Sequence, residues 1–438
     1  MLYRILKIIV SVGIRSYYKE VKVLNKKVLR TDGPLIFISN HPNTLMDAMM
    51  IGFITKKPVY FMAKGTLFNS PFKLWLLKNL NMIPINRRGD GAVRGVKNQN
   101  SFDACYRLLE QKKSLVVFPE GTSFLERQLR ELKSGTARIA LEVESRHSGQ
   151  LGVKVIPLGL NYHKAEKFRS SVLVHIGEPI KIEPYINDYK SNPGKTAKLL
   201  TELFRVKLEE ILIHTTTKEQ ERLIDSLEEV LSSKYLSRKR GVEHDIQFLR
   251  KIKENIDRFQ YHDPKRINEI ELLLQNILWQ LRKLDIKSDF LDRRFRSVMF
   301  IRQMFSSIVF VIIGMPLFLY GLWHNMIQYK LTDFIVPKIT RDIEYYAPLA
   351  VLLSMVLYPC FYTFFFYLVS HIFEMSSIVE IIYIISMPLS GFYAYWFNRY
   401  LKHISYKWRY ILLMVSDSKA MEELKAKRKQ LRSLIFED

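Results

Sequence analysis

Cysteine is almost absent from this chain of 438 residues, which has only Cys105 and Cys360. They lie far apart, one in a polar helical stretch and one in an apolar run, so neither a disulfide framework nor a zinc site is indicated. The polar part of the chain is accordingly read as facing a reducing compartment. No His/Cys cluster has ligand spacing, so no metal and no cofactor are expected. There is no fixed-period repeat and no low-complexity tract, which sets aside solenoids and arrays. Acidic residues are also short, 43 against 67 Lys and Arg, leaving a formal net charge of +24 and an attraction to polyanions. Zinc-finger spacing and aromatic RNA-binding submotifs are both missing, which argues against nucleic acid and leaves an anionic membrane surface.

Long apolar runs are plentiful in the last third. Residues 305–323, 348–370 and 377–396 each approach the ~20 residues that cross ~30 Å of hydrocarbon. They contain almost no charge and are rich in Phe, Tyr and Trp, which fits transmembrane helices better than buried helices of a soluble domain. Arg293, Arg294, Arg296 and Arg302 precede the first run, and Arg399, Lys402, Lys407 and Arg409 follow the last. The bias of basic residues toward the cytoplasmic side would place both clusters on one face, which three full spans cannot satisfy. Either one segment is re-entrant or the charge rule is broken here. The first helix carries Leu2, Ile5, Leu6, Ile9 and Val10 on one face and lacks a small-residue cleavage site. It reads as a retained interfacial helix, with an ordinary packed helix as the alternative.

Between these ends, strand-like runs alternate with helical ones: Leu35–Ile38, Pro58–Ala63, Ile83–Ile85, Ser114–Phe118, Val153–Leu158 and Ser171–Ile176 are extended, with helices at Asp47–Ile54, Pro71–Leu80, Asn98–Gln111 and Gly135–Ser145. The pattern predicts an α/β fold, a mixed and largely parallel sheet flanked by helices, with a helical insert and C-terminal transmembrane helices. The expected division is an interfacial helix at 1–20, an α/β domain at 21–187, and a charged helical insert at 188–300. A membrane region at 301–398 and a basic tail at 399–438 complete it.

Four motifs fall at strand ends, where chemistry gathers in such folds. Ser39-Asn40-His41-Pro42-Asn43-Thr44-Leu45-Met46-Asp47 offers a histidine whose ordinary pKa suits a general base and a carboxylate that can orient it. An acceptor hydroxyl would stand where a Ser-His-Asp triad has its serine. Met82-Ile83-Pro84-Ile85-Asn86-Arg87-Arg88 delivers guanidinium groups suited to phosphate just after a strand. Val117-Phe118-Pro119-Glu120-Gly121-Thr122-Ser123 forms a turn able to present N–H groups and a hydroxyl to phosphate, while Glu120 can bond acceptor hydroxyls or fix Arg87. Val155-Ile156-Pro157-Leu158-Gly159-Leu160-Asn161-Tyr162 reads as an apolar wall. Singly, each also fits a loop contact, a solvated edge or a plain turn.

Together, over about residues 20–185, the four resemble the glycerolipid acyltransferase family of lysophosphatidate and glycerol-3-phosphate acyltransferases. The resemblance implies His41 and Asp47 as the catalytic pair, Arg87 on the acceptor phosphate, and Glu120, Gly121 and Thr122 at the acceptor. Asn40, Lys64, Arg88 and Pro157 would support them. The family's usual spacing puts the acid at the position held here by Met46, and a one-residue shift turns a helical side chain by about 100°. An irregular turn at Pro42-Asn43 is therefore expected to absorb the extra residue. This spacing is similar to that of fungal-type glycerol-3-phosphate/dihydroxyacetone-phosphate acyltransferases, as are the run Leu129-Arg-Glu-Leu-Lys-Ser-Gly135 and Phe168-Arg-Ser.

The implied partners are an acyl thioester donor, either acyl-CoA or acyl carrier protein, a glycerol-type phosphate acceptor, and anionic membrane lipids. The expected location is an integral membrane protein with its catalytic domain on the cytoplasmic side. Lysophosphatidate as acceptor, and a catalytically dead lipid-binding scaffold, stand as rival readings.

Overall fold

The computed structural model describes residues 2–86, 98–232, 241–292 and 297–436. The chain divides into two compact units, residues 1–217 with 342–351, and residues 218–341 with 352–438.

The first unit begins with helix α1 (Leu2–Tyr17), which packs on α2 (Thr44–Ile54) and buries Ile14 and Tyr17. Ile5, Ile8, Ile9 and Val12 remain exposed, as an interfacial helix requires. The strands are β1 (Glu20–Leu24), β2 (Leu35–Ser39), β3 (Val59–Lys64), β4 (Met82–Ile85), β5 (Ser114–Val117), β6 (Lys154–Tyr162), β7 (Ser171–Ile176) and β8 (Ile180–Lys181). Their order is β1-β7-β6-β2-β5-β3-β4, with β8 paired to β6. Only the β6 pairings with β7 and β8 are antiparallel. This is the mixed, largely parallel sheet expected. Every residue of β2 is buried, as a central strand covered on both faces must be.

Helices α3 (Pro71–Asn79), α4 (Asn98–Glu110) and α5 (Gly135–Arg146) lie between the strands, and α6 (Ile186–Ser191) and α7 (Pro193–Glu209) follow them. Asn192 starts α7 by accepting the Lys195 N–H at 3.1 Å, in an N-cap that satisfies one of the helix's free donors. The change of sequence character near residue 188 is not where the fold divides. Ala197, Leu200, Phe204 and Leu208 of α7 are buried in the same core as α5 and the sheet, so this helix belongs to the α/β unit and the division falls after Thr217.

The second unit is helical: α8 (Lys218–Leu231), α9 (Val242–His262), α10 (Pro264–Lys283), α11 (Ser297–Ile339), most of α12 (Tyr346–Ile372), α13 (Ser377–Ser416) and α14 (Ser418–Phe436). Asp263 caps α10 by accepting the Arg266 N–H at 3.3 Å, just before the helix-opening Pro264. Three helical stretches, Arg302–Ile339, Ile343–Ile372 and Ser377–Ser416, are long and apolar enough to cross a membrane. α11 and α13 approach so closely that a side chain on Gly321 would collide with the Ser390 carbonyl, the close backbone contact that small residues permit between apolar helices. Of the basic residues expected to flank the first span, Arg293, Arg294 and Arg296 lie outside the described residues.

Candidate active site

Strand register builds the site. Ile38 of β2 pairs with Val117 of β5, so His41 and Glu120, each three residues further on, leave the sheet side by side. One Glu120 oxygen accepts the His41 N–H at 2.9 Å, and the other accepts the Arg130 N–H at 3.1 Å. The carboxylate thus ties the first motif to the third and to the loop beyond it. Burial pushes the Glu120 carboxyl upward, opposed by the two backbone donors and by His41. Each oxygen thus holds one backbone N–H, and the first of these bonds fixes the His41 backbone.

The turn after β2 holds the strained part of the chain. Pro42 and Asn43 stay outside the helix, and α2 starts at Thr44, a β-branched residue at φ 41°. Such a conformation costs on the order of 1–3 kcal/mol and persists only where the surroundings impose it. The irregular turn takes up the extra residue, and His41 Nδ1 lies 2.9 Å from an Asp47 oxygen.

Asp47 has no exposed side-chain surface. The oxygen facing His41 also accepts the Asn43 N–H at 2.7 Å, and its other oxygen accepts the Tyr162 hydroxyl at 2.8 Å. Three donors on one buried carboxylate hold it in place. Burial, together with the charge of Asp47, pushes the Tyr162 hydroxyl well above its ordinary value, so it serves as a donor throughout the working range. The imidazole is further held by stacking on Phe118, 4.0 Å between ring centres and 10° from parallel. With Nδ1–H committed to Asp47, Nε2 is the nitrogen left to take a proton from a substrate.

The third motif turns at Gly121, whose φ of 76° favours glycine. A Cβ there would stand 2.6 Å from Lys133 Nζ, so the ammonium of Lys133 lies directly over the turn. Thr122 is exposed beside it. Asn40 is a splint: its amide donates to the Leu160 carbonyl at 3.0 Å and accepts the Leu160 N–H at 2.8 Å, binding the end of β2 to β6. Lys64 ends β3 opposite Ile85 of β4, at the edge from which the second motif departs. Pro157 is buried in β6 opposite Ile38 and packs on Gly177, a wall of the sheet behind the turn. Arg87 and Arg88 lie outside the described residues.

Among the described residues, His41, Asp47, Glu120 and Gly121 come together. Tyr162, Phe118, Arg130 and Lys133 belong to the same site and were not singled out from the sequence. Tyr162 carried one usable signal, a tyrosine ending an apolar strand whose hydroxyl needs a partner once buried, and Arg130 and Lys133 lie in the run Leu129–Gly135 that the resemblance rests on.

Residues 20–161 match the Acyltransferase family model. Among curated proteins, the chain is 30% identical over 139 residues to glycerol-3-phosphate O-acyltransferase 2 of Saccharomyces cerevisiae, covering 31% of this chain and 18% of that protein. It is 24% identical over 156 residues to the chloroplastic 1-acyl-sn-glycerol-3-phosphate acyltransferase LPAT1 of Arabidopsis thaliana, covering 36% and 40%. The chain therefore spans less than half the length of either relative. A solved structure, the 1-acyl-sn-glycerophosphate acyltransferase PlsC of Thermotoga maritima, aligns at 21% identity with a TM-score of 0.34, over 48% of this chain and 81% of that one. The matched stretch ends at Asn161 and takes in both His41–Asp47 and the Glu120–Gly121 turn, so the part of the chain that is similar to the Acyltransferase family is the part that carries the candidate site.

Proposed function

We propose that this chain transfers a fatty acyl group from a thioester, acyl-CoA or acyl carrier protein, to a hydroxyl of glycerol 3-phosphate or dihydroxyacetone phosphate. The observation that carries the reading is the His41–Asp47 pair, with Nδ1–H on a buried, three-donor carboxylate and Nε2 unclaimed among the described residues. His41 Nε2 takes the hydroxyl proton as the acceptor oxygen attacks the thioester carbonyl. The tetrahedral intermediate then expels the thiolate, which receives that proton, leaving an ester and a free thiol. Asp47 stabilises the imidazolium formed on the way and keeps the ring in one tautomer.

Cations near the acceptor turn favour a phosphate-bearing substrate, since Lys133 overlies Gly121 and Arg130 lies just beyond Glu120. Arg87 is the further phosphate ligand in this proposal. Orienting the hydroxyl through a clamped phosphate converts binding energy into rate. Lysophosphatidate is the second reading, supported by the relatives that carry that name. The three apolar helices and the exposed face of α1 fit a membrane-embedded enzyme whose lipid product stays in the bilayer. A cytoplasmic catalytic unit belongs to the same proposal.

The test is acyl transfer by the purified full chain in detergent, with labelled acyl-CoA or acyl carrier protein offered against glycerol 3-phosphate, dihydroxyacetone phosphate and lysophosphatidate. Labelled ester from one of the first two is the expected result. Product from lysophosphatidate alone moves the assignment to the second reading, and no product from any acceptor overturns both.

A further inference from the structure

A small pocket of about 160 Å³ opens in the helical unit, outside the matched residues 20–161. Its cations are Lys425, Arg428, Lys429 and Arg432 of α14, and Asp292 is the acid among its lining residues. This spacing puts all four cations on one face of the helix, where like charges repel. Arg428 is fixed beneath the others. It is 6% exposed, donates to both Asp292 oxygens at 2.6 and 3.0 Å, and donates to the Val230 carbonyl at 2.8 Å. Asp292 is neutralised by that pairing. Lys425 Nζ donates to the Tyr410 hydroxyl of α13 at 3.2 Å, a neutral partner. Lys429 and Arg432 are exposed and make no ion pair among the described residues. Lys427, on another face of the same helix, is met by Glu423 at 2.5 Å and Asn276 at 3.1 Å. The pocket is where α14 gathers positive charge and leaves it unanswered.

What it takes follows from charge, size and place. Four cations against one carboxylate leave an excess of positive charge that a bound anion relieves. The volume of about 160 Å³ is well below the ~300 Å³ at which pockets for drug-sized molecules begin, so it admits a small anionic group and not a whole nucleotide. Asp292 lies shortly before the apolar stretch that starts at Arg302, and Tyr410 belongs to the stretch Ser377–Ser416, both long and apolar enough to cross a membrane. Basic pockets beside such helices meet the anionic lipids of a bilayer surface. We propose that this pocket binds the phosphate of an anionic phospholipid headgroup, with Lys429 and Arg432 as its outer ligands above the fixed Arg428. Free phosphate esters share that chemistry, and the flanking apolar helices favour the lipid. The site lies in a different compact unit from the acyl-transfer turns and does not rest on the acyltransferase reading.

The test titrates the full chain, purified in neutral detergent, with dihexanoyl phosphatidylglycerol in a calorimeter. This phosphodiester is neither substrate nor product of the proposed acyl transfer. Dihexanoyl phosphatidylcholine and inorganic phosphate are the comparison arms. The expected result is a saturable phosphatidylglycerol site, about tenfold or more tighter than for either comparison. Lys429→Gln combined with Arg432→Gln should weaken it about 25-fold, roughly fivefold for each cation withdrawn from an anionic lipid. Lys427→Gln, an equal loss of charge on another face, should stay within about twofold of wild type. Wild-type affinity in the double variant overturns the proposal, and so does an equal loss in Lys427→Gln, which would make the attraction diffuse. Phosphatidylcholine bound as tightly as phosphatidylglycerol overturns it by removing the need for charge. Inorganic phosphate bound as tightly overturns the assignment to lipid. Both substituted side chains are exposed; should the double variant not fold, each single variant decides at about fivefold. A chain inactive toward every acyl acceptor leaves the titration readable, so the two readings fail separately.

Discussion

Two histidines, one in each compact unit, are held alike and left with different freedom. His324 of α11 donates Nδ1–H to the Tyr320 carbonyl at 2.9 Å, since a carbonyl can only accept, and its Nε2 accepts the Tyr383 hydroxyl at 2.9 Å. His41 also has Nδ1–H committed, to Asp47, but its Nε2 meets no such partner among the described residues. The tautomer is the same in both. In the apolar helices every ring valence is closed, and the histidine joins α11 to α13. In the α/β unit one valence is left open beside the acceptor turn, and that opening is what makes a general base. A polar residue among apolar helices invites a functional reading, and here its hydrogen bonds account for it instead.

The largest effect that tests this contrast is on turnover. His41→Ala should lower kcat about 10³-fold, the usual worth of a general base, with thermal midpoint little changed; a variant that keeps full activity would sink the catalytic proposal. The closed counterpart of Asp47 in the second unit is Arg428, which donates to both oxygens of Asp292 at 2.6 and 3.0 Å and to the Val230 carbonyl at 2.8 Å. Arg428→Ala strands these acceptors and should cost about 3 kcal/mol in denaturant unfolding of the helical unit, whereas activity per folded molecule should stay near wild type.

Tyr162→Phe takes one donor from Asp47 and, at about 1.5 kcal/mol for a bond to a charged group, should slow kcat roughly tenfold with KM unchanged. Equal losses in kcat and in stability would make Tyr162 a packing residue instead. His324→Phe deletes the ring's bond within α11 and its bond to α13; a fall of about 1 kcal/mol in stability, with activity within about twofold, is expected in the same assay. The smallest effect concerns thiols. Burial pushes the Cys105 thiol up to about 12, so its reactive thiolate is scarce below that pH. In a Cys360→Ser background, a maleimide at pH 8 should label Cys105 only after unfolding.

Much of the site was legible because it is local. The β2 strand, the His41 turn and the Glu120–Gly121 turn each lie within a few residues of sequence, and hydrophobic runs bounded by turn residues mark such strand ends plainly. The extra residue before Asp47 was visible as well, together with the turn that had to absorb it. What Glu120 holds was not visible in sequence; the Ile38–Val117 register decides that the His41 N–H meets its carboxylate. The boundary near residue 188 was misplaced for a similar reason. The amphipathic pattern of α7 shows that it buries a face, and not which core receives it.

By itself, then, the order of residues determined the strand–helix alternation, the His41–Asp47 pair, the apolar helices and the basic surface, because each follows from periodicity or charge over a short stretch. Tertiary structure alone decided that the Tyr162 hydroxyl meets Asp47, that Glu120 holds the His41 N–H and Asn40 the Leu160 backbone, and that the Thr44 hydroxyl finds the Glu344 carbonyl some 300 residues away. These are contacts between groups distant in the chain. Which buried donor meets which acceptor is settled only when the sheet register and the packing bring them within 3 Å, where an unmet polar group costs too much to leave alone.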